Sequence, residues 1–311
     1  MAGYAEIIGR AEVTDQLVPD EHVAGILQTA PEESVVLNRA RTVRMSSKKQ
    51  KQAVLTTLPE AYWVDGDTGL KQTDSVAWSG ITMTVEELAV IIPIPDALVD
   101  DANVPLWDEV RPLVREALGK KVDQAALFGV DKPASWPTGI VPAAIAAGNV
   151  SQLSSTNDLG DAFLEVAEKA SVGGFSVNGF ATRPGLNWKL RGLKDGNGQY
   201  LFGAPTQGGN ASLFGYTLDE VRNGAWDPAV AEGLAIDWSK FVVGIRQDVT
   251  FDLFREGVIS DASGKVILNL MQQDSKALRV VFRVGFQAAV PTTRLGGTYP
   301  AGVVTPAEVT P

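Results

Sequence analysis

The chain reads as an α+β protein with a reaching N-terminal arm, a long polar hairpin, a rod-like helix, an inserted α/β unit and a closing pair of long strands. Three observations carry this reading. Phe241, Val243, Ile245, Val249, Phe251 and Leu253 hold a period of two, interrupted by the polar Gln247, and Leu278, Val280, Phe282, Val284, Phe286 and Ala288 repeat it. Residues 106–129 carry two adjacent apolar rows at helical spacing: Leu106, Val110, Leu113, Ala117 and Val114, Leu118, Val122, Ala125. Residues 41–75 alternate β-formers with turn signals, and their polar composition does not suit a core.

The N-terminal 40 residues are acidic. Glu6, Glu12, Asp15, Asp20, Glu21, Glu32 and Glu33 face only Arg10 and Arg39, and the apolar pieces between Pro19 and Pro31 are short. The expectation is an extended arm with one short helix near residues 20–28. A disordered tail is the plainer alternative, although the apolar pieces suit docking. The charge then reverses: Arg41, Arg44, Lys48, Lys49 and Lys51 occur with no acid among residues 41–51. With the turn cluster Asp65-Gly66-Asp67-Thr68-Gly69, this reads as a hairpin about 35 residues long, its strands reaching about 33 Å at roughly 3.3 Å per residue. An isolated two-stranded ribbon is marginal in water, so the hairpin needs a partner surface.

A strand-rich stretch follows over residues 76–94. Its alternation changes phase at Ser79-Gly80, which predicts a bulge there, and Pro93 and Pro95 close it. The rod helix has Asn103 as a candidate N-cap, Gly129 as its stop, and Pro112 as either a kink or the effective start. Residues 130–157 read as loop. A second helix over about 159–171 precedes a short strand at 179–182, a helix opened by Pro184, the turn Asp195-Gly196-Asn197-Gly198, and short strands at 200–202 and 213–218. The Pro-, Gly- and Thr-rich stretch after Val290 reads as a surface or disordered tail.

Composition excludes much chemistry. The 311 residues contain no Cys and a single His, His22, against 37 acidic and 27 basic side chains and a net charge of −10. Thiolate metal sites and Cys nucleophiles are ruled out, and any His-based triad would have to be built on His22, which reads as a surface or docking residue. The acidic balance argues against tight nucleic-acid binding as the main task. No apolar leader opens the chain, and the longest uncharged run, 133–157, is broken by prolines, so a cytoplasmic, soluble protein is expected. Gly257 to Val266 has the wrong spacing for a P-loop, and Asn178 spoils a nucleophile elbow at Gly174-Phe175-Ser176-Val177. The acid pairs Glu86-Glu87, Asp100-Asp101 and Asp219-Glu220 are adjacent and point apart wherever they lie on strands, which makes them poor catalytic dyads. Accordingly no catalytic, cofactor-binding or metal-ligating residue is assigned.

Seven stretches, in this order, resemble the major capsid proteins of tailed bacteriophages with the Hong Kong 97-type fold. They are the strand ending Val90-Ile91-Ile92-Pro93-Ile94-Pro95-Asp96-Ala97-Leu98-Val99-Asp100; the helix of 106–129; Pro137-Thr138-Gly139-Ile140; Leu193-Lys194-Asp195 with Gly198-Gln199-Tyr200-Leu201; Leu213-Phe214-Gly215-Tyr216; Asp237-Trp238-Ser239-Lys240-Phe241; and Ala277-Leu278-Arg279 through Gly285-Phe286. The resemblance covers about residues 40–295. It implies an arm (1–40), an extended hairpin loop (41–84), a peripheral domain in two parts (85–142, with a spine helix at 104–128, and 246–295), an axial domain (143–245) and a C-terminal tail (296–311).

The resemblance further implies self-assembly as hexamers and pentamers into an icosahedral shell around double-stranded DNA contacted without sequence specificity. It implies scaffold, portal and decoration partners, no membrane, and assembly in a bacterial host's cytoplasm into the virion capsid. Candidate intersubunit contacts are Arg41, Arg44, Lys48, Lys49, Lys51, Tyr62, Trp63 and Lys71. The basic cluster could equally touch phosphates or acids on a neighbouring chain. The family's N-terminal scaffolding region has no counterpart here, which leaves scaffolding to a separate protein or to none. Some relatives crosslink a hairpin lysine to a late asparagine; no asparagine follows Asn269, so no crosslink is expected. An encapsulin-like compartment and, more distantly, a carboxylate-dependent hydrolase with a concave pocket are the alternatives.

Overall fold

The computed structural model describes residues 32–64, 69–101, 105–154, 157–193, 212–297 and 299–307. His22, the arm before Glu32, the turn at 65–68, Asn103 and the predicted 195–202 turn and strand lie outside the described residues.

The alternating segments at 241–253 and 278–288 form two strands of 14 residues, β10 (Phe241–Phe254) and β13 (Ser275–Ala288), paired antiparallel. Residues 245, 247 and 250 oppose 284, 283 and 281, so β10 carries one extra residue on each side of Gln247. The two bulges cancel in phase, and only between them is the face exchanged. Val243 and Phe251 therefore lie opposite Phe286 and Val280 on the core face, while Gln247 lies opposite Arg283 on the other. That is the cause of the single polar interruption in the sequence pattern.

Two more strands complete this sheet, in the order β1-β10-β13-β4. The first, β1 (Arg41–Arg44), runs parallel to the start of β10, and β4 (Glu86–Pro95) pairs antiparallel with β13. As an edge strand, β4 tolerates Pro93 and Pro95, which have no N–H to give a further neighbour. Arg41 and Arg44, expected in the hairpin, are thus part of this sheet. The hairpin itself is β2 (Lys49–Thr57) against β3 (Ala77–Thr84). Its register break falls at Thr56, not at Ser79-Gly80, and Tyr62, Trp63 and Val64 belong to no strand.

Helix α1 (Val35–Arg39) and the short α2 (Asp96–Asp101) precede the rod, α3 (Leu106–Asp123), which passes through Pro112 without breaking. One π-helical turn (Gln124–Phe128) extends it to Gly129, whose φ of 72° ends it. The row Val114, Leu118, Val122, Ala125 packs on Val280, Phe282 and Val284, whereas Leu113 of the other row stays 42% exposed. Arg115 and Arg111 lie 5.3 and 5.9 Å from the ring centre of Phe251. Within 130–157, expected to be loop, are α4 (Ile140–Ala146) and β5 (Val150–Gln152). Pro142 sits in the first turn of α4, where its missing N–H costs nothing.

The inserted unit is a six-stranded sheet, β5-β14-β9-β6-β8-β7. It comprises β5, β6 (Gly179–Thr182), β7 (Ser212–Leu213), β8 (Tyr216–Glu220), β9 (Gly233–Ile236) and β14 (Ala301–Thr305). Helices α5 (Leu159–Val172) and α6 (Leu186–Arg191) cover one face, through Phe163, Val166, Leu186 and Leu190 on Phe180 and Ala235. On the other face Ala181, Leu234, Ile236, Ala301 and Val303 join the core under α3. Each central strand thus feeds two cores by alternation. Beyond the first sheet, β11 (Val258–Ser260) and β12 (Val266–Asn269) form a small hairpin.

Two expected boundaries are corrected here. Residues 241–245 belong to the long-strand sheet, because the chain leaves the inserted unit at the 3-10 turn Trp238–Lys240, capped by Asp237. Within the expected tail of 296–311, residues 301–305 are not superficial: Ala301, Val303 and Val304 are fully buried, in the strand between β5 and β9. Its run Ala-Gly-Val-Val-Thr lacks alternation because both faces are covered.

Asp123, at the end of α3, is also buried. Its carboxylate accepts hydrogen bonds from Ser34 Oγ (2.6 Å), the backbone N–H groups of Val35 and Val36 (3.2 and 3.1 Å) and Asn223 Nδ2 (2.7 Å). It therefore caps α1, assisted by Ser34, and ties α3, the arm's end and the 223 loop at one point. Burial pushes its carboxyl above the usual carboxylate range against the pull of these four donors.

Two stability outcomes follow. Asp123→Ala strands four buried donors and should lower unfolding free energy by about 2–4 kcal/mol, with Ser34→Ala losing about 1, both read by urea titration. Val303→Asp puts an unpaired charge between two sheet neighbours and should abolish cooperative unfolding of the inserted unit, where an exposed tail would tolerate it.

Candidate assembly surface

Of the eight sequence-predicted contact residues, Lys49 and Lys51 lie on the hairpin, Lys48 just before it, Tyr62, Trp63 and Lys71 between its strands, and Arg41 and Arg44 on β1 of the neighbouring sheet. Arg44 pairs with Asp248 at 3.1 Å and Lys48 approaches Glu86 at 3.8 Å, so both have partners within the chain. Arg41, Lys49, Lys51 and Lys71 are exposed. Pairing puts Lys49 and Lys51 on one face of the hairpin with Thr82 and Trp78, and Trp78 is 67% exposed. At the far end Trp63 is fully exposed and Leu70 90% exposed, while Tyr62 exchanges hydrogen bonds with the backbone of Gln72. Among the described residues nothing covers this indole and leucine.

The root of the ribbon, by contrast, is held firmly. Met45, Met83 and Val85 pack on Val242 across the outer face of the long strands. That contact needs the directly paired Gly244 and Gly285, because a Cβ on Gly285 would stand 2.7 Å from the carbonyl oxygen of Thr84. A second hold comes from the segment between β13 and β14. Thr292 donates from its N–H to Leu55 O (3.1 Å) and from its hydroxyl to Thr56 O (3.0 Å), and Arg294 donates to Pro59 O (2.7 Å). Thr293 donates to Gly173 O at the end of α5 (2.6 Å), so one strap ties hairpin and inserted unit together. Sequence reasoning missed this strap and Asp123. The only signal for the latter was an acid among the apolar residues at the end of α3.

No described feature has the geometry of the hydrolase alternative. Glu86 turns to Ser135 and Lys48 while Glu87 turns to Arg283; Asp219 holds Arg39 at 2.7 Å while Glu220 holds Arg222 and the N–H of Asn187. Asp100 and Asp101 are exposed at the end of α2. The raised carboxyl, Asp123, faces four donors in the core and opens on no cleft. Lowered ones, such as Asp131 beside Lys121 and Glu165 beside Lys169, are exposed ion pairs. Among the described residues no cluster of acidic or imidazole groups suits a metal ion, and no helix is long and apolar enough to cross a membrane.

Comparison with known proteins agrees with this surface-dominated picture. The chain aligns over 97% of its length with a solved structure from Microbacterium phage Oxtober96, at 36% identity and a TM-score of 0.85, covering all of that chain. A structure from Mycobacterium phage Cain gives 35% identity over 98% of this chain and all of that one, with a TM-score of 0.86. A stretch of 117 residues, 38% of this chain, is 27% identical to the major capsid protein of Staphylococcus phage 80alpha, and spans about a third (36%) of that protein's length. Residues 15–292 match the Phage capsid family, and the chain belongs to it.

Proposed function

We propose that this major capsid protein closes its icosahedral shell as hexamers and pentamers, with the six-stranded unit at the ring centres and the long-strand sheet outside them. The observation that carries the reading is the hairpin: it is anchored at its root by buried methionines and a hydrogen-bonded strap, yet it presents Trp63, Leu70 and Trp78 to solvent. Such an element stabilises nothing until another copy covers it. Ring-forming contacts join unlike surfaces of identical subunits, which suits a projecting ribbon on one side and a docking face on the other. The role is structural and self-associating, and on this reading the chain carries no catalytic activity.

The remaining partners belong to the proposal. A net charge of −10 suits a lining that lets packed double-stranded DNA slide without adhering, contacted without sequence specificity. A portal, a separate scaffold and decoration proteins complete the particle, which is put together in the host cytoplasm. The similarity to phage structures across nearly the whole chain supports a genome container over an encapsulin-like compartment.

Negative-stain microscopy with sedimentation velocity of purified protein tests this directly. Rings of five and six subunits or closed shells are expected; a species that stays monomeric or dimeric at high concentration, with scaffold supplied, overturns the reading. Trp63→Ser removes a fully exposed ring, so folding should be unchanged while the subunit concentration needed for shells rises at least about tenfold, equivalent to about 1.4 kcal/mol. Lys49→Glu with Lys51→Glu should slow assembly most at low salt.

A further inference from the structure

We propose that copies of this chain close their rings by seating Trp188 of one inserted domain in an aromatic groove on the inserted domain of the next. The inference rests on the shell reading and names the surfaces that perform it. The groove has a volume of about 450 Å³ and runs along α5 from Leu164 to the turn before β6. Its floor is Phe175 and Phe180, both buried, and its lip is Leu164, Phe214 and Tyr216, exposed by 44–48%. Phe214 and Gly215 form the two-residue turn between β7 and β8 with φ of 52° and 85°. A bulky side chain in the left-handed region is uncommon and strained, yet here it holds a ring at the groove's lip, 6.3 Å from that of Phe180.

The matching projection lies on the same domain. Helix α6 turns Leu186 and Leu190 into the core and leaves Trp188 between them 72% exposed, with the Arg191 guanidinium 5.7 Å from its ring centre. Groove and indole sit at opposite ends of the parallel strands β6 and β8. Phe175, Phe214 and Tyr216 stand where these strands begin; α6 follows where they finish, with the N–H of Asn187 on Glu220 Oε1 at 3.0 Å. A domain with a pocket at one end and an indole at the other cannot satisfy both within itself. Joined head to tail, such domains form a ring, because the contact is heterologous. Charge agrees with this direction: Lys189 and Arg191 flank the indole, and Glu168, exposed one turn after Leu164, flanks the groove without an ion pair among the described residues. An aromatic anchor in a pocket, with opposite charges at its rim, is the usual composition of a strong contact.

The chain has no cysteine, so a pair can be introduced without background. Lys189→Cys with Glu168→Cys, oxidised with copper–phenanthroline and run on a non-reducing gel, should give a ladder reaching five and six subunits, while each single variant stays monomeric. Trp188→Ala, removing an exposed side chain, should keep the circular dichroism of the parent and lose rings in negative stain. Rings or shells without a ladder, a ladder that stops at dimers, or Trp188→Ala assembling like the parent each overturn this contact and leave the shell reading standing. A parent protein that forms neither rings nor shells overturns the shell reading, and this contact with it.

Discussion

Every other part of the structure is arranged about the antiparallel pairing of β10 with β13. Each strand of this pair is about two and a half times the usual length, and the two faces carry different tasks. The core face receives α3 and, through Phe241 and Phe286, continues into the inserted unit. The outer face receives the hairpin root, and it can do so only where Gly244 and Gly285 lie opposite each other and leave room for Met45 and Met83. One side therefore stabilises the subunit and the other aims the projecting ribbon.

The hairpin combines a strong hold at its root with little burial at Trp63 and Leu70. The arm's last residues are pinned by Asp123, whose four donors come from two distant segments, and the hairpin is held by the methionine cluster and the strap at 292–294. Fixing the root sets the direction in which a tip extends, so the ordering cost of a later contact is reduced. Trp63, Leu70, Trp78 and Trp188 are large apolar side chains left in water, and apolar area of this kind is a main source of association energy in permanent assemblies. With no cysteine in the sequence, disulfides contribute nothing to such contacts.

Much of this was legible in the residues, for identifiable reasons. The long strands showed themselves because one of their faces is polar, so alternation survives; even the exception at Gln247 was visible, although its meaning was not. Two bulges exchange the faces and restore them, and only the register with β13 reveals that. The rod helix was visible from its apolar rows and its terminal glycine. The strand at Ala301–Thr305 was invisible as a strand because burial on both faces removes the alternation that identifies one, and its neighbours in sequence are Pro, Gly and Thr. Asp123 was passed over because an acid in a helix is usually a solvated one, and only the approach of Ser34 and Asn223 shows its carboxylate to be enclosed.

The long strands, the rod helix with its stop, the basic stem of the hairpin and the exclusion of thiol chemistry follow from side-chain type and spacing alone. Tertiary packing alone reveals which apolar row of α3 faces the core, that β14 enters the interior of a sheet, and that the groove and the exposed indole occupy opposite ends of one domain. Those are relations between segments as much as 153 residues apart, as between β5 and β14, whose Val150 and Val303 lie side by side. Packing and register set them, and neither is written in the spacing of neighbouring residues.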